Sequence, residues 1–427
     1  MKVFKICIRK SNIYLIWEIL FLIVMSVVAF MLKNNHMEMI ILIISLFSIF
    51  KIAKFSYFTI FSFILWFSFL QEYFASINPK LASGRLAWDT SVPVYHAELF
   101  ICIMFFFILE LLFFTTTNVL KNEKDLYSKK IDIAEKTAVV YLICALIMVI
   151  LAYPTLPNLS ADLARDQGYL PSSLVVPLAV LLLATTYDNL KKNMLFKLLT
   201  LFTLFWIFFH GDRVIVLGYL VYGILRYMND GTFDFRTLKS VIFNRRTLIV
   251  LIAIIVVLAI AIRVQFTRVG GEYSFSVEGL LYSIVRQGTA GDVVFAFNCS
   301  TNMWKIGAEM HGYTYLYYLS NILPSANQDL YCAVILQHKY NTLGGGLFFV
   351  EPMMNGGIVL TFIHTLLFLI ILVIVFSKKS KYASFLYIPF IILIFRFTWY
   401  ASLASLVKMM LYYVPFVYLV AQKIKVR

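Results

Sequence analysis

Solid apolar runs, not alternating ones, organise this chain. Residues 13–32, 38–50, 55–73, 97–118, 137–153, 172–188, 194–210, 213–228, 247–264, 354–376, 383–401 and 404–422 read as twelve helical spans. Most approach the ~20 apolar residues that a helix needs to cross a bilayer. An outer-membrane barrel is excluded, because its strands alternate in polarity along their length. The run at 38–50 is short for a span. The connections are unequal: 74–96 and 154–171 are moderate, and 265–353 forms one large loop between spans nine and ten. That loop mixes polar turns with short amphipathic pieces, and helices lying on a membrane face are expected there. No internal repeat, low-complexity tract or heptad pattern interrupts the chain. The pattern therefore predicts an all-α polytopic integral membrane protein, with residues 1–427 as a single membrane domain.

Composition agrees. The chain is 61% hydrophobic and 14% charged, with a mean hydropathy of +0.85, whereas soluble domains are about 25% charged. A formal net charge of +15 raises the question of nucleic acid. In a membrane chain the excess of Lys and Arg marks cytoplasmic loops instead. With the N-terminus placed inside, 25 of the 37 basic residues fall in the inner half and 12 in the outer half. Both termini are therefore expected in the cytoplasm. The opening MKVFKICIRK leads into an apolar run with no small-residue cleavage site, which reads as an uncleaved first span. The outer basic residues are seven Arg and five Lys, the inner ones six Arg and nineteen Lys. Arginine where positive charge is disfavoured suggests binding of phosphate or carboxylate, which its planar fork grips bidentately.

The candidate chemistry lies on that outer face. His210-Gly211-Asp212-Arg213 joins spans seven and eight, with Asp212 expected as the N-cap and Arg213 in the first turn. A helix N-terminus favours an anion, and Arg213 would add to that; a plain cap with a snorkelling arginine is the alternative. Arg85, Arg165, Arg263, Arg268, Arg286 and Arg396 fall on the same side. HGYTYLYYLSNILP, 311–324, carries Tyr313, Tyr315, Tyr317 and Tyr318, which suit either sugar stacking or an interfacial aromatic belt. LGGGLFFVEPMMNGG, 343–357, places Gly344, Gly345 and Gly346 ahead of Glu351, Pro352 and Asn355. Glu351 reads as a helix cap or as a general base. Cys299 and Cys332 share the large loop, and their pairing stays open. Charges deep in the spans are few, Glu18 and Glu110 being the best cases. P-loop, HExxH, paired-cysteine zinc and G-x-S-x-G patterns are absent, so no metal or cofactor is implied.

An arginine turn after span seven, a large external loop, HGYTYLYYLSNILP, then GGGLFFVEPMMNGG opening the next span: this order resembles the bacterial oligosaccharide repeat-unit polymerases, the Wzy-type O-antigen and capsule polysaccharide polymerases. Members tend to read Glu-x-Tyr-x-Asn-Phe-Gly where this chain reads Glu351-Pro352-Met353-Met354-Asn355-Gly356-Gly357. The resemblance implies a fold similar to integral-membrane glycosyltransferases that use lipid-linked donors. It implies a site at the periplasmic face of the bacterial inner membrane, where undecaprenyl-diphosphate-linked repeat units are joined. A flippase and a chain-length regulator are the implied partners. On that reading Arg213 with Arg286, and Arg263 or Arg268, neutralise the diphosphate, Glu351 or, second, His338 takes the acceptor proton, and Tyr313, Tyr315 and Asn355 contact substrate. An O-antigen ligase shares the layout, and a flippase or exporter of lipid-linked sugars is a third reading.

Overall fold

The computed structural model describes residues 13–78, 81–128, 131–156, 169–191, 193–228, 288–322, 327–377, 383–400, 403–420 and 425–426. Span nine at 247–264, together with Arg165, Arg263, Arg268 and Arg286, lies outside them. The helices in chain order are α1 (Ile13–Leu32), α2 (Asn35–Ala53), α3 (Tyr57–Ile77), α4 (His96–Thr116), α5 (Val119–Ser128), α6 (Glu135–Ala152), α7 (Ser172–Thr185), α8 (Met194–Phe209) and α9 (Arg213–Met228). They continue as α10 (Gly288–Lys305), α11 (Leu316–Ser320), α12 (Cys332–Tyr340), α13 (Val350–Ser377), α14 (Ala383–Ile392), α15 (Ile394–Trp399) and α16 (Ala404–Val420). A two-stranded ribbon pairs Ile131–Asp132 with Lys425–Val426.

Among the described residues, six helices are long and apolar enough to cross a membrane: α1, α2, α3, α4, α6 and α13. The protein is thus a helical, membrane-embedded chain. The short run at 38–50 belongs to a full-length helix, because Asn34 caps it upstream by accepting from the backbone N–H of His36 and Met37. Ser56 starts α3 in the same way, its hydroxyl accepting from Thr59 N at 3.2 Å. Such caps satisfy donors that the first helical turn leaves free.

The large loop departs from expectation. Its stretch 288–305 is a helix, α10, whose residues Ala290, Gly291, Val293 to Thr301 and Met303 are all buried. It packs against α3 and α13 inside the bundle rather than along a face. Its polar residues are satisfied by distant parts of the chain. Asn298 accepts from Tyr95 N at 3.0 Å and donates to Glu72 Oε2 at 3.2 Å, and Asp292 accepts from Arg85 N at 2.7 Å.

Among the described residues, two of the expected spans are broken. Within α13, Gly356 and Gly357 leave helical geometry, Gly357 with φ +64°. A side chain at Gly357 would collide with the Trp304 indole, so glycine is required both by the left-handed backbone and by the space. The eleventh expected span is two pieces, α14 and α15, separated at Leu393, with Pro389 inside the first.

Candidate functional site

The start of α13 gathers the polar chemistry. Glu351 lies in its first turn and is 1% exposed. Pro352 follows it, where the missing N–H costs nothing. The glycine run explains how the chain arrives. Gly346 N donates to Trp399 O at 3.0 Å and Phe348 N to Thr398 O at 2.7 Å. This docks 346–348 beside the end of α15. At Gly345 an added Cβ would sit 3.1 Å from Val293 and 3.2 Å from Trp399 O, so a small residue allows the approach.

A strap formed by residues 310–322 folds over this turn. Met310 N donates to Met354 O at 2.9 Å, and Gly312 N to Asn355 Oδ1 at 2.8 Å. The Asn355 amide in turn donates to Thr314 Oγ1 at 2.6 Å and to Glu351 O at 2.7 Å. Tyr318 OH donates to Glu351 Oε2 at 2.8 Å and accepts from Leu403 N at 3.2 Å. Thr314 Oγ1 reaches Glu351 Oε1 at 3.4 Å. Glu351 is therefore not a simple helix cap: its carboxylate is oriented by two hydroxyls from the strap. Tyr315 joins the same group, with ring centroids 5.9 Å from Tyr318 and 6.4 Å from His364. Burial, with a further push from Glu351, raises the Tyr315 phenol above its ordinary value.

A second part of the group was not assembled by sequence reasoning. Tyr317 stacks on Tyr331 at 4.8 Å, and Tyr331 OH donates to Tyr400 O. Arg396, on α15, lies over the Tyr400 ring at 4.9 Å. Among the described residues it meets no carboxylate within ion-pair distance. Burial raises the Tyr331 phenol well above its ordinary value; the Arg396 charge opposes that rise, and Glu351 adds to it. Burial and then Glu351 likewise hold the Cys332 thiol well above its ordinary value. The chain thus brings a carboxylate, a guanidinium and five tyrosines together at one end of the bundle. The signal available in the sequence was Arg396 itself, a guanidinium set in a run of Ile, Phe, Thr and Trp.

The other candidates lie elsewhere. His338 is exposed near the far end of α12, whereas Cys332 at its start is the residue beside Glu351. Tyr313 is exposed. Arg213 begins α9 as expected, with its guanidinium 5.7 Å from the centre of the Phe208 ring. The turn before it is a packed corner. His210 stacks on Tyr153 at 4.6 Å and 8° and bonds Trp206 O at 2.8 Å and Thr155 O at 3.0 Å. Asp212 accepts the Tyr153 hydroxyl. Arg85 is occupied as well, pairing with Asp89 at 2.5 Å and lying over Trp88 and Phe295. Cys299 and Cys332 are both buried free thiols, so the pairing left open is not made.

Glu38 and Glu72, at the ends of their spans, join Glu18 and Glu110. Glu18 bonds Ser48, Glu38 lies 3.2 Å from His96 Nε2, Glu72 accepts from Asn298, and Glu110 accepts from Ser62. Each has a polar neighbour from another element, as burial in an apolar medium demands. On the lipid-facing side, Val27 and Phe30 of α1, Met104 and Phe105 of α4, and Phe362 of α13 line an apolar groove of about 270 Å³. No family model, no curated protein and no solved structure matches this chain.

Proposed function

We propose that this protein is a membrane glycosyltransferase that joins lipid-diphosphate-linked oligosaccharide repeat units at the outer face of a bacterial inner membrane. The observation that carries the reading is the presence at one bundle end, both acting on Tyr331, of a buried, hydroxyl-oriented carboxylate, Glu351, and a guanidinium lacking a carboxylate partner among the described residues, Arg396. Group transfer from a lipid diphosphate needs both. The acceptor hydroxyl oxygen attacks the anomeric carbon of the growing glycan. The bond from that carbon to the diphosphate oxygen breaks, and the diphosphate leaves with the electron pair. Glu351 takes the hydroxyl proton. Arg396, with Arg213, stabilises the charge that develops on the leaving group, and guanidinium forks suit phosphate oxygens. Arg263, Arg268 and Arg286 stay in the same proposal. Tyr315 and Asn355 border the acceptor, with Tyr313 at the rim and His338 as the second candidate base. The groove at Phe30, Phe105 and Phe362 suits a polyprenyl chain.

A second reading has a specific observation behind it. Broken spans beside a buried acid are how transporters build substrate sites, and α13 is broken five residues after Glu351. One gel separates the readings. In a strain lacking the gene, loss of a polymerase leaves surface glycan with a single repeat unit. Loss of a flippase, exporter or ligase removes everything above bare core. An unchanged ladder, in a strain with no second polymerase, overturns the polymerase reading.

A further inference from the structure

The strap has two faces, of which the exposed one repeats every three residues. Tyr313, Leu316, Leu319 and Ile322 are 48%, 49%, 69% and 40% exposed. Thr314, Tyr317 and Asn321 are buried between them. The exposed face carries only apolar and aromatic side chains, while Thr314 of the buried face and the half-buried Tyr318 bond Glu351 and its neighbour Asn355. On a soluble surface such an exposed stripe would be costly. Its position supplies the reason for it.

The strap runs down between two helices rather than over their tips. Lys408 Nζ donates to Asn321 Oδ1 at 3.3 Å, and Tyr412 OH donates to Ile322 O at 2.7 Å. Lys408 and Tyr412 are one and two turns into α16, about 6 and 12 Å along its axis. On the other side Tyr315 lies against His364, two turns beyond the break in α13. The surfaces flanking the strap are lipid-facing in composition: Val359 and Ile363 on α13, Val407 and Leu411 on α16, all exposed. The apolar stripe of the strap continues those surfaces. Behind it, held by Thr314 and Tyr318, is Glu351.

We propose that residues 313–322 are a wedge seated in the bilayer leaflet at the Glu351 end, and that this wedge is the lateral gate by which a lipid-borne substrate reaches Glu351. The occupant of the Leu316–Leu319–Ile322 face is lipid. The gate half of the proposal rests on the polymerase reading; the wedge half does not.

Two experiments separate them. A nitroxide on Leu319→Cys, in protein reconstituted into liposomes, reports depth through collision with oxygen and with a water-soluble nickel chelate. A seated wedge gives a label that oxygen relaxes more than nickel does, matching a label on Val359→Cys. The same label on Gln337→Cys, at the exposed end of α12, shows the reverse. A Leu319 label that behaves like the one at Gln337 overturns the wedge. For the gate, Asn321→Cys and Lys408→Cys are bridged by a short bis-methanethiosulfonate, which dithiothreitol cleaves. Elongation of lipid-linked repeat units is expected to fall at least tenfold with the bridge closed and to return on reduction. Elongation unaffected by a closed bridge overturns the gate. If the unsubstituted protein elongates nothing, the polymerase reading fails and the gate with it, while the nitroxide result still decides the wedge.

Discussion

Glu351 shows how a single residue depends on its surroundings. Alone it is an acid in the first turn of a helix, where the dipole favours it. In the folded chain it is closed from solvent and takes hydroxyls from Tyr318 and Thr314. Tyr318→Phe keeps the ring and removes the donor. Hydrogen bonds to charged groups contribute ~1.5–3 kcal/mol, so this variant is expected to lose about that much stability, read as a lowered Tm in detergent. An unchanged Tm would mean that the bond is not made. The glycine run and the acid after it were legible, because both are local features of 343–357. Arg396 and Tyr331 were not joined to them, because α15 and α12 meet Glu351 only through tertiary packing. Likewise the His210–Arg213 turn was legible as the start of a helix, but Tyr153, the partner of His210 and Asp212, lies 57 residues upstream of His210 and was not.

Elements written in solid apolar sequence were read closely, and those with mixed sequence were not. The span at 13–32 coincides with α1, and 213–228 with α9. The helix α10 was hidden because Asp292 and Asn298 look like loop residues until Arg85, Tyr95 and Glu72 supply their partners, while Ser300 and Thr301 bond Phe297 O within the helix itself. The break in α13 gives a sharp test. Gly357→Ala meets both the positive φ and the Trp304 ring, and is expected to cost about 1–3 kcal/mol. Adding Trp304→Ala relieves the clash but not the backbone, so part of the Tm loss should remain. Full recovery in the double variant would contradict the left-handed geometry at 357. At α5, outside the spans, burial raises the Glu123 carboxyl to about 7, although the Tyr127 hydroxyl and Tyr57 N–H pull it down. A raised folded value stabilises below the ordinary 4.5 and loses that contribution as pH rises through about 7. Tm is therefore expected to fall between pH 5 and 8, and Glu123→Gln to flatten the slope; an equal slope in the variant would remove Glu123 as its source.

At the scale of the whole molecule, topology and chemistry make one prediction together. The charge count predicts the Glu351 end outside and the ribbon of Ile131–Asp132 with Lys425–Val426 inside. In intact cells stripped of any outer membrane, an impermeant maleimide should label Gln337→Cys and leave Lys124→Cys untouched until the membrane is opened. The reverse pattern would place Glu351 on the cytoplasmic side and overturn the proposed site. The central claim is tested most directly by the purified protein in liposomes with undecaprenyl-diphosphate-linked repeat units as the sole substrate. The account predicts a ladder of products growing with time, and at least a hundredfold slower growth with Glu351→Gln, which keeps the shape and removes the base. Single units that never lengthen with intact protein, or a ladder that Glu351→Gln builds at the same rate, would contradict it.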